Sequence, residues 1–446
     1  MNAQTAKNRR QNRSNKSRNR NRNRNRNIKR TYKAVKYHKA HTDKPTGGAA
    51  VKAGSYGCVF SPKLKCAQNK GSHIPGARHG ADSVDGNMIS KLMYKKDADH
   101  ELAELSELNS LLAQIPNQEK YFLSRSTYSC IPHVLSDSDL TNFETCNMLT
   151  ENGITRYNVN SHLEELSILN MKNGGMDIDD YLRNITPESG NSGTYLKILN
   201  TNLIKLLKFG IIPLNKLKFN HYDVKSGNVL INDQHEVRLI DWGLSSSCDG
   251  KTIPRIITNR SFAFNIPYSI IFFNHFIKNW IHSEFSKHNL LKSYTGKNET
   301  IRIIVINLVN FIIHKHTGHE NTIVHIFRRL YSEYLDPKEG GFVSSSIVTS
   351  NIVEYVYNVM VKYTNDLGYF DDVAFFYEVF AFNSDIFGFV TIYESILNKL
   401  SLHSLIRNKI VKILLKYCVG SEFAVKRIDV DILVNELEDI TNNNHY

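Results

Sequence analysis

The sequence predicts an α+β protein in which a small strand-rich part precedes a larger helical part. Three observations carry this. Residues 47–172 mix short apolar runs with glycines and hold one clear helical pattern. From Gly174 onward long helical periodicities dominate, in DIDDYL, TYLKILNTNLIKLLKFGI and several apolar segments beyond residue 262. Between them, HYDVKSGNVLINDQHEVRLIDWGLS (221–245) sets two apolar runs around an Asn232-Asp233 turn, a loop–strand–turn–strand pattern. At 446 residues the chain is too long for one simple core. With 41% hydrophobic and 22% charged residues, most of it has the composition of a soluble globular protein.

Residues 1–46 come first. The segment QNRSNKSRNRNRNRNRNIKR is low in complexity and is expected to be disordered, because it has nothing to bury. The net charge of +13 resides there: residues 1–30 hold twelve Lys and Arg and no acid, leaving 44 basic against 43 acidic groups in the rest. A flexible run of this kind binds phosphate backbones non-specifically and with strong salt dependence. Nucleic acid, or a packaging role, is therefore a candidate partner for residues 1–30, beside the reading of a solvated tail or import signal. The near-neutral remainder argues against a DNA-binding fold.

No apolar stretch follows the basic start, so a signal peptide is not expected. The longest apolar runs, such as IRIIVINLVNFII (301–313), are too short and interrupted to span a bilayer and predict core helices. The six cysteines, Cys58, Cys66, Cys130, Cys146, Cys248 and Cys418, lie scattered without a CxxC pair. That spacing predicts reduced thiols in an intracellular protein and argues against a zinc site.

The next elements follow in order. AGSYGCVF (53–60) is a GxxG turn entering a β-branched and aromatic run. A long insertion (61–86) separates it from NMISKLM (87–93), which places Lys91 in an apolar strand. DADHELAELSELNSLLAQI (97–115) predicts a helix capped by Asp97, with Leu102, Leu105, Leu108, Leu111 and Leu112 as its apolar stripe. SILNMKNGGMDIDDYL (167–182) predicts a strand, a connector at Gly174-Gly175 and a helix. At the 221–245 hairpin, Asp223, Asn228 and Asp241 would converge at one end. Two carboxylates and an amide carbonyl are hard oxygen donors of the kind that suit Mg²⁺ together with substrate phosphates.

Taken in order, a glycine turn, a strand lysine, a glutamate-bearing helix, a strand-to-helix connector, H-x-D-x-K-x-x-N and D-x-G resemble the protein-kinase superfamily. The resemblance is strongest over Gly54–Gly243. It implies a bilobal fold with a small lobe at 47–172 and a helical lobe at 173–446, divergent after about residue 275. It also implies ATP and Mg²⁺, with γ-phosphoryl transfer to a protein serine or threonine. By the same resemblance Asp223 orients the acceptor hydroxyl and takes its proton, while Lys225 neutralises the transferring phosphoryl. Asn228 and Asp241 hold the metal. Gly54, Ser55, Tyr56, Gly57 and Val59 cover the triphosphate, and Lys91 pairs with the α- and β-phosphates and a helix glutamate. Glu104 is favoured for that glutamate, with Glu101 second. GSYGCVFSPKLKC, ISKLM, KYFLSRSTYSC and the NGG connector further resemble kinases of giant DNA viruses.

The pattern departs from the family at four places. Lys52 stands where GxGxxG has its first glycine, and Tyr222 replaces the Arg of His-Arg-Asp, which removes the usual partner of an activation-loop phosphate. DWG (241–243) stands for DFG. Pro267 fits Ala-Pro-Glu, but no Glu follows. An active serine/threonine kinase is expected; a nucleotide-binding pseudokinase scaffold and a small-molecule phosphotransferase are the alternatives.

Overall fold

The computed structural model describes residues 48–54, 57–67, 87–124, 127–185, 192–260, 263–287, 297–315, 319–335, 345–366 and 368–442. The basic N-terminal segment, Ser55 and Tyr56, and most of the insertion after β2 lie outside the described residues.

Strands β1 (Ala49–Gly54), β2 (Gly57–Ser61), β3 (Met88–Tyr94), β4 (Tyr128–Cys130) and β5 (Leu166–Lys172) form one antiparallel sheet in the order β1-β2-β3-β5-β4. Register puts Lys52 opposite Val59, and Val59 opposite Lys91, so the three share a row and a face. Helix α1 (Lys95–Leu112) follows β3 directly. Leu105, Leu108 and Leu112 of its expected stripe are buried, and Leu102 and Leu111 are partly so. Asp97 does not cap it. The helix begins three residues earlier, the cap position is Tyr94, and Asp97 sits in the first turn, where a carboxylate favours the N-terminal end of the dipole.

The cysteine expectation is overturned. Cys58 pairs with Cys146 and Cys66 with Cys130, while Cys248 and Cys418 are free and buried. The partners are 88 and 64 residues apart, so no local spacing announces them. Cys58 lies on β2 and Cys130 on β4, strands that the sheet brings near the segments holding Cys146 and Cys66. Cysteine usage therefore gives no argument for a reducing compartment.

Beyond β5 the chain is mainly helical. β6 (Met176–Asp177) leads into α2 (Ile178–Asn184), which the Asp177 side chain caps by accepting from Asp180 N. Helix α3 (Ser192–Leu206) continues through a π-turn (Leu207–Ile211). The hairpin forms where the alternation predicts it, β8 (Val229–Ile231) pairing antiparallel with β9 (Val237–Leu239) after the short β7 (Phe219–Asn220). β10 (Ser246–Ser247) pairs with β7.

Helices α4 (His275–Lys287), α5 (Lys297–Lys315), α6 (His319–Leu335) and α7 (Ser345–Tyr363) follow, then α8 (Ala381–Lys399), α9 (Ser404–Leu414) and α10 (Val430–Asn442). The 301–313 run is a core helix as expected, burying Ile301, Ile304, Val305, Leu308 and Val309. Most of this region shares one apolar core that reaches from α1 to α10. Among the described residues one helix, Asp372–Lys399, is long and apolar enough to cross a membrane by length and composition. It is mostly buried in the protein and is the central helix of the core.

Candidate active site

Helix α8 positions the 221–228 loop. Asp385, 1% exposed, accepts from the backbone N of His221 at 2.9 Å and of Tyr222 at 2.7 Å, and from the Asn215 amide at 2.7 Å. Its neighbour one turn on, Gly388, lies against the same loop: a Cβ there would stand 2.6 Å from Val224 O and 2.9 Å from Asn265 O. Only glycine allows the helix this close. Farther along, Ser395 Oγ lies 3.0 Å from Ser226 Oγ.

His221 is wholly buried. Burial drives its pKa below the ordinary value, against the upward pull of Asp385, Asp223 and Asp241. A neutral ring fits its contacts: one nitrogen accepts from Asp223 N at 3.2 Å, and the other lies 3.0 Å from Ile240 O, which only accepts. His221 thus ties the 221–228 loop to the end of β9. Trp242 packs edge-on against it at 4.8 Å and against Phe122 at 5.5 Å.

Asp223 is the hub. Its Oδ2 accepts from Lys225 Nζ at 2.6 Å and Asn228 Nδ2 at 2.8 Å; its Oδ1 accepts from Arg260 Nη2 and Asn265 Nδ2, each at 2.9 Å. Burial alone would raise its pKa, but Lys225, Asn265 and Arg260 more than offset this and hold the carboxyl below its usual range. Asn228 spends its amide nitrogen twice on Asp223, on the carboxylate and on the backbone O at 2.9 Å. That leaves its carbonyl oxygen as the free end. Tyr222 and Asp241 carry positive φ, +58° and +67°, backbone states that cost energy for non-glycine residues and cluster at functional sites. Asp241 is exposed and shares an open cleft of about 620 Å³ with Asp223, Lys225, Gly243 and Arg260. Among the described residues no three His, Cys, Asp or Glu side chains group to hold a metal; with Asp223 taken up by four donors, the candidate set is the Asp241 carboxylate and the Asn228 carbonyl oxygen.

In the sheet region Lys91 pairs with Glu101, Nζ to Oε2 2.6 Å. This corrects the preference for Glu104, which is exposed and faces His100 instead. One helical turn separates the two (100° per residue makes i and i+3 neighbours), so sequence spacing could not choose between them. The helix starts earlier than the Asp97 cap implied, which brings Glu101 to Lys91. Gly57 has a structural reason for being glycine: a Cβ would stand 2.7 Å from Leu92 O on β3. Strand packing alone is enough to require glycine at this place in β2. Gly54 pairs with Gly57 across the turn, Val59 sits in the Lys91 row, and Ser55 and Tyr56 lie outside the described residues. Lys52 reaches from β1 to Asp177 at the start of α2, Nζ to Oδ2 2.5 Å.

Tyr222 is an uncharged, packed side chain, buried with its hydroxyl 3.0 Å from Cys248 Sγ. The structure thus brings Asp223, Lys225 and Asn228 into one cluster, with Asp241 in the adjoining cleft, and separately joins Lys91 to a helix glutamate. It adds four residues that sequence reading missed: Asp385, Gly388, Arg260 and Asn265. Each acts across 37 or more residues of chain, and only the glycine in an apolar helix and the Asp in the same helix were visible oddities. No protein-family model matches the chain, and no curated protein is found similar to it.

Proposed function

We propose that this chain is an ATP-dependent protein kinase that transfers the γ-phosphoryl group to a serine or threonine hydroxyl of a protein. The observation that carries the reading is the Asp223 cluster: a buried carboxylate held by Lys225 and Asn228 at the mouth of a cleft that also contains Asp241. In this reading the acceptor hydroxyl oxygen bonds to Pγ as the bond from Pγ to the β–γ bridging oxygen breaks, and the hydroxyl proton passes to Asp223. Lys225, 2.6 Å from Asp223, offsets charge on the moving phosphoryl. Lys91, held by Glu101, takes the α- and β-phosphates. The free carbonyl oxygen of Asn228 and the exposed carboxylate of Asp241 are the donors for Mg²⁺. When bound, the cation would screen the phosphate charges. With Tyr222 packed and uncharged, the reading needs no activation-loop phosphate.

A nucleotide-binding scaffold without transfer is the second reading. The observation favouring it is that Arg260 and Asn265 already occupy Oδ1 of Asp223.

The test is transfer from γ-labelled ATP with Mg²⁺ to the chain itself and to generic acidic and basic proteins, beside Asp223→Asn and Lys91→Met. Transfer reduced at least about a hundredfold by both substitutions supports the kinase reading. Nucleotide-dependent thermal stabilisation without transfer supports the scaffold. Neither transfer nor nucleotide binding would overturn both.

A further inference from the structure

We propose that Arg260 makes the acceptor side of the cleft selective for a hydroxyl lying next to an anionic group, a phosphate or carboxylate on the acceptor polypeptide. The inference rests on the kinase reading and names its substrate class.

Three observations converge. The Arg260 side chain is only 6% exposed, lines the cleft and spends Nη2 on Asp223, yet its Nε and Nη1 are buried and have no partner among the described residues. Buried cationic donors without acceptors are costly, so a substrate that brings oxygens to them gains affinity. Nε and Nη1 lie on opposite sides of the guanidinium and each forms a fork with Nη2, so an anion that draws Nη2 off Asp223 can be met by two parallel N–H donors.

The second observation is the crowding of Asp223. A carboxylate offers about four lone-pair sites, and four donors already use them. An incoming hydroxyl must displace one. Asn265 is also tied to Val224 O, and Asn228 to the backbone of Asp223. In the kinase reading Lys225 is engaged with the transferring phosphoryl, which leaves Arg260 as the donor that an anion on the acceptor can draw away. An acceptor with an anion beside its hydroxyl therefore frees Oδ1 as it binds.

The third is the state of the carboxylates. Three line the cleft: Asp223, Asp241 and Glu394. Asp223 is saturated, and Glu394 is held by Arg329 at 2.7 Å and by Asn398. Asp241 is the cation donor. Asp179, beside Ser226, is held by Lys399 and by Ser226 itself. Among the described residues, a basic acceptor finds no unclaimed carboxylate, whereas an anionic one finds the unclaimed Nε and Nη1 of Arg260.

The experiment uses the full chain with Mg²⁺ and ATP, and serine peptides identical except within two positions of the serine, where they carry phosphoserine, Glu, Ala or Arg. Phosphopeptide formation and ADP release are both read. The anionic peptides are expected to exceed the Ala peptide by about tenfold in kcat/KM, mostly through KM, with the Arg peptide poorest. The phosphoserine and Glu arms tell phosphate from carboxylate recognition. Arg260→Gln is expected to collapse the anionic-to-neutral ratio to below about threefold, and Arg260→Lys, which keeps charge without the fork, to fall between. Melting curves report whether each variant folds; if one does not, the wild-type ratio decides alone. Transfer to Ala or Arg peptides as good as to anionic ones overturns the inference and leaves the kinase reading standing. So does a folded Arg260→Gln that keeps the preference. No transfer to any peptide or to the chain itself, with no ADP release, overturns both together.

Discussion

Removing the carboxylate of Asp385 should unseat the 221–228 loop, and the structure says by how much. In Asp385→Ala, the backbone N–H groups of His221 and Tyr222 lose their acceptor inside a region without solvent. Each orphaned donor costs roughly 1–3 kcal/mol, so the pair costs about 4 kcal/mol. The two asparagine amides that also touch Asp385 keep second acceptors, Asn220 on Ala381 O at 2.7 Å and Asn215 on Phe219 O at 3.3 Å, and add little. At about 2.1 cal/mol/K of unfolding entropy per residue, 1 kcal/mol is worth roughly 1 °C in a folded unit as long as Gly47–Tyr446, so the melting temperature should drop by about 5 °C. If the kinase reading holds, displacement of Asp223 by an ångström should also lower kcat by about a hundredfold. Urea unfolding, thermal melting and a transfer assay on the same preparations measure all three. Asp366→Ala is the control: its ion pair to Lys297 is exposed, and it should shift stability by less than about 1 kcal/mol. An Asp385→Ala protein within about 1 kcal/mol of wild type would refute the argument that this helix anchors the loop.

Two further outcomes are expected. Glu101→Gln should lower kcat/KM for ATP by about tenfold or more while Glu104→Gln stays within about twofold, since only Glu101 meets Lys91; equal effects in an ATP titration would refute the assignment. Stability should also fall as pH drops below about 6.5, the ordinary histidine value, because burial depresses the pKa of His221. The sign follows from linkage. Below that pH the unfolded chain binds a proton that the fold refuses, so the contribution is full above it and is lost toward the lower folded pKa. Urea unfolding at pH 7 and pH 5 should show this loss, and His221→Gln should reduce it; a His221→Gln protein with an undiminished loss would count against the buried neutral ring.

How much of this was legible in the sequence differs by element. The 229–240 hairpin was readable because alternation and an Asn-Asp turn are local signals, and so was the α1 stripe, whose leucines recur at helical spacing. The start of α1 was not. Asp97 looked like a cap, but strand β3 runs straight into the helix, and this continuity moves the first turn back by three residues. The choice of Glu101 over Glu104 followed from that shift. Gly57 reads in the sequence as a phosphate-loop glycine; its packing against Leu92 of β3 is a second demand for glycine that no local pattern shows, because it arises only once the two strands are paired.

Residue identity and local order by themselves determined that Asp223, Lys225, Asn228 and Asp241 fall in one neighbourhood: they sit within 19 residues of one another, so a loop and a short hairpin suffice to hold them there. Tertiary structure decided what surrounds them. The disulfide partners, the Asp385 anchor, and the Arg260 and Asn265 donors on Asp223 all join segments separated by 37 to 164 residues. Contacts at such separations leave no periodicity or spacing in the chain. They arise only when burial of the shared apolar core fixes which helix faces which loop.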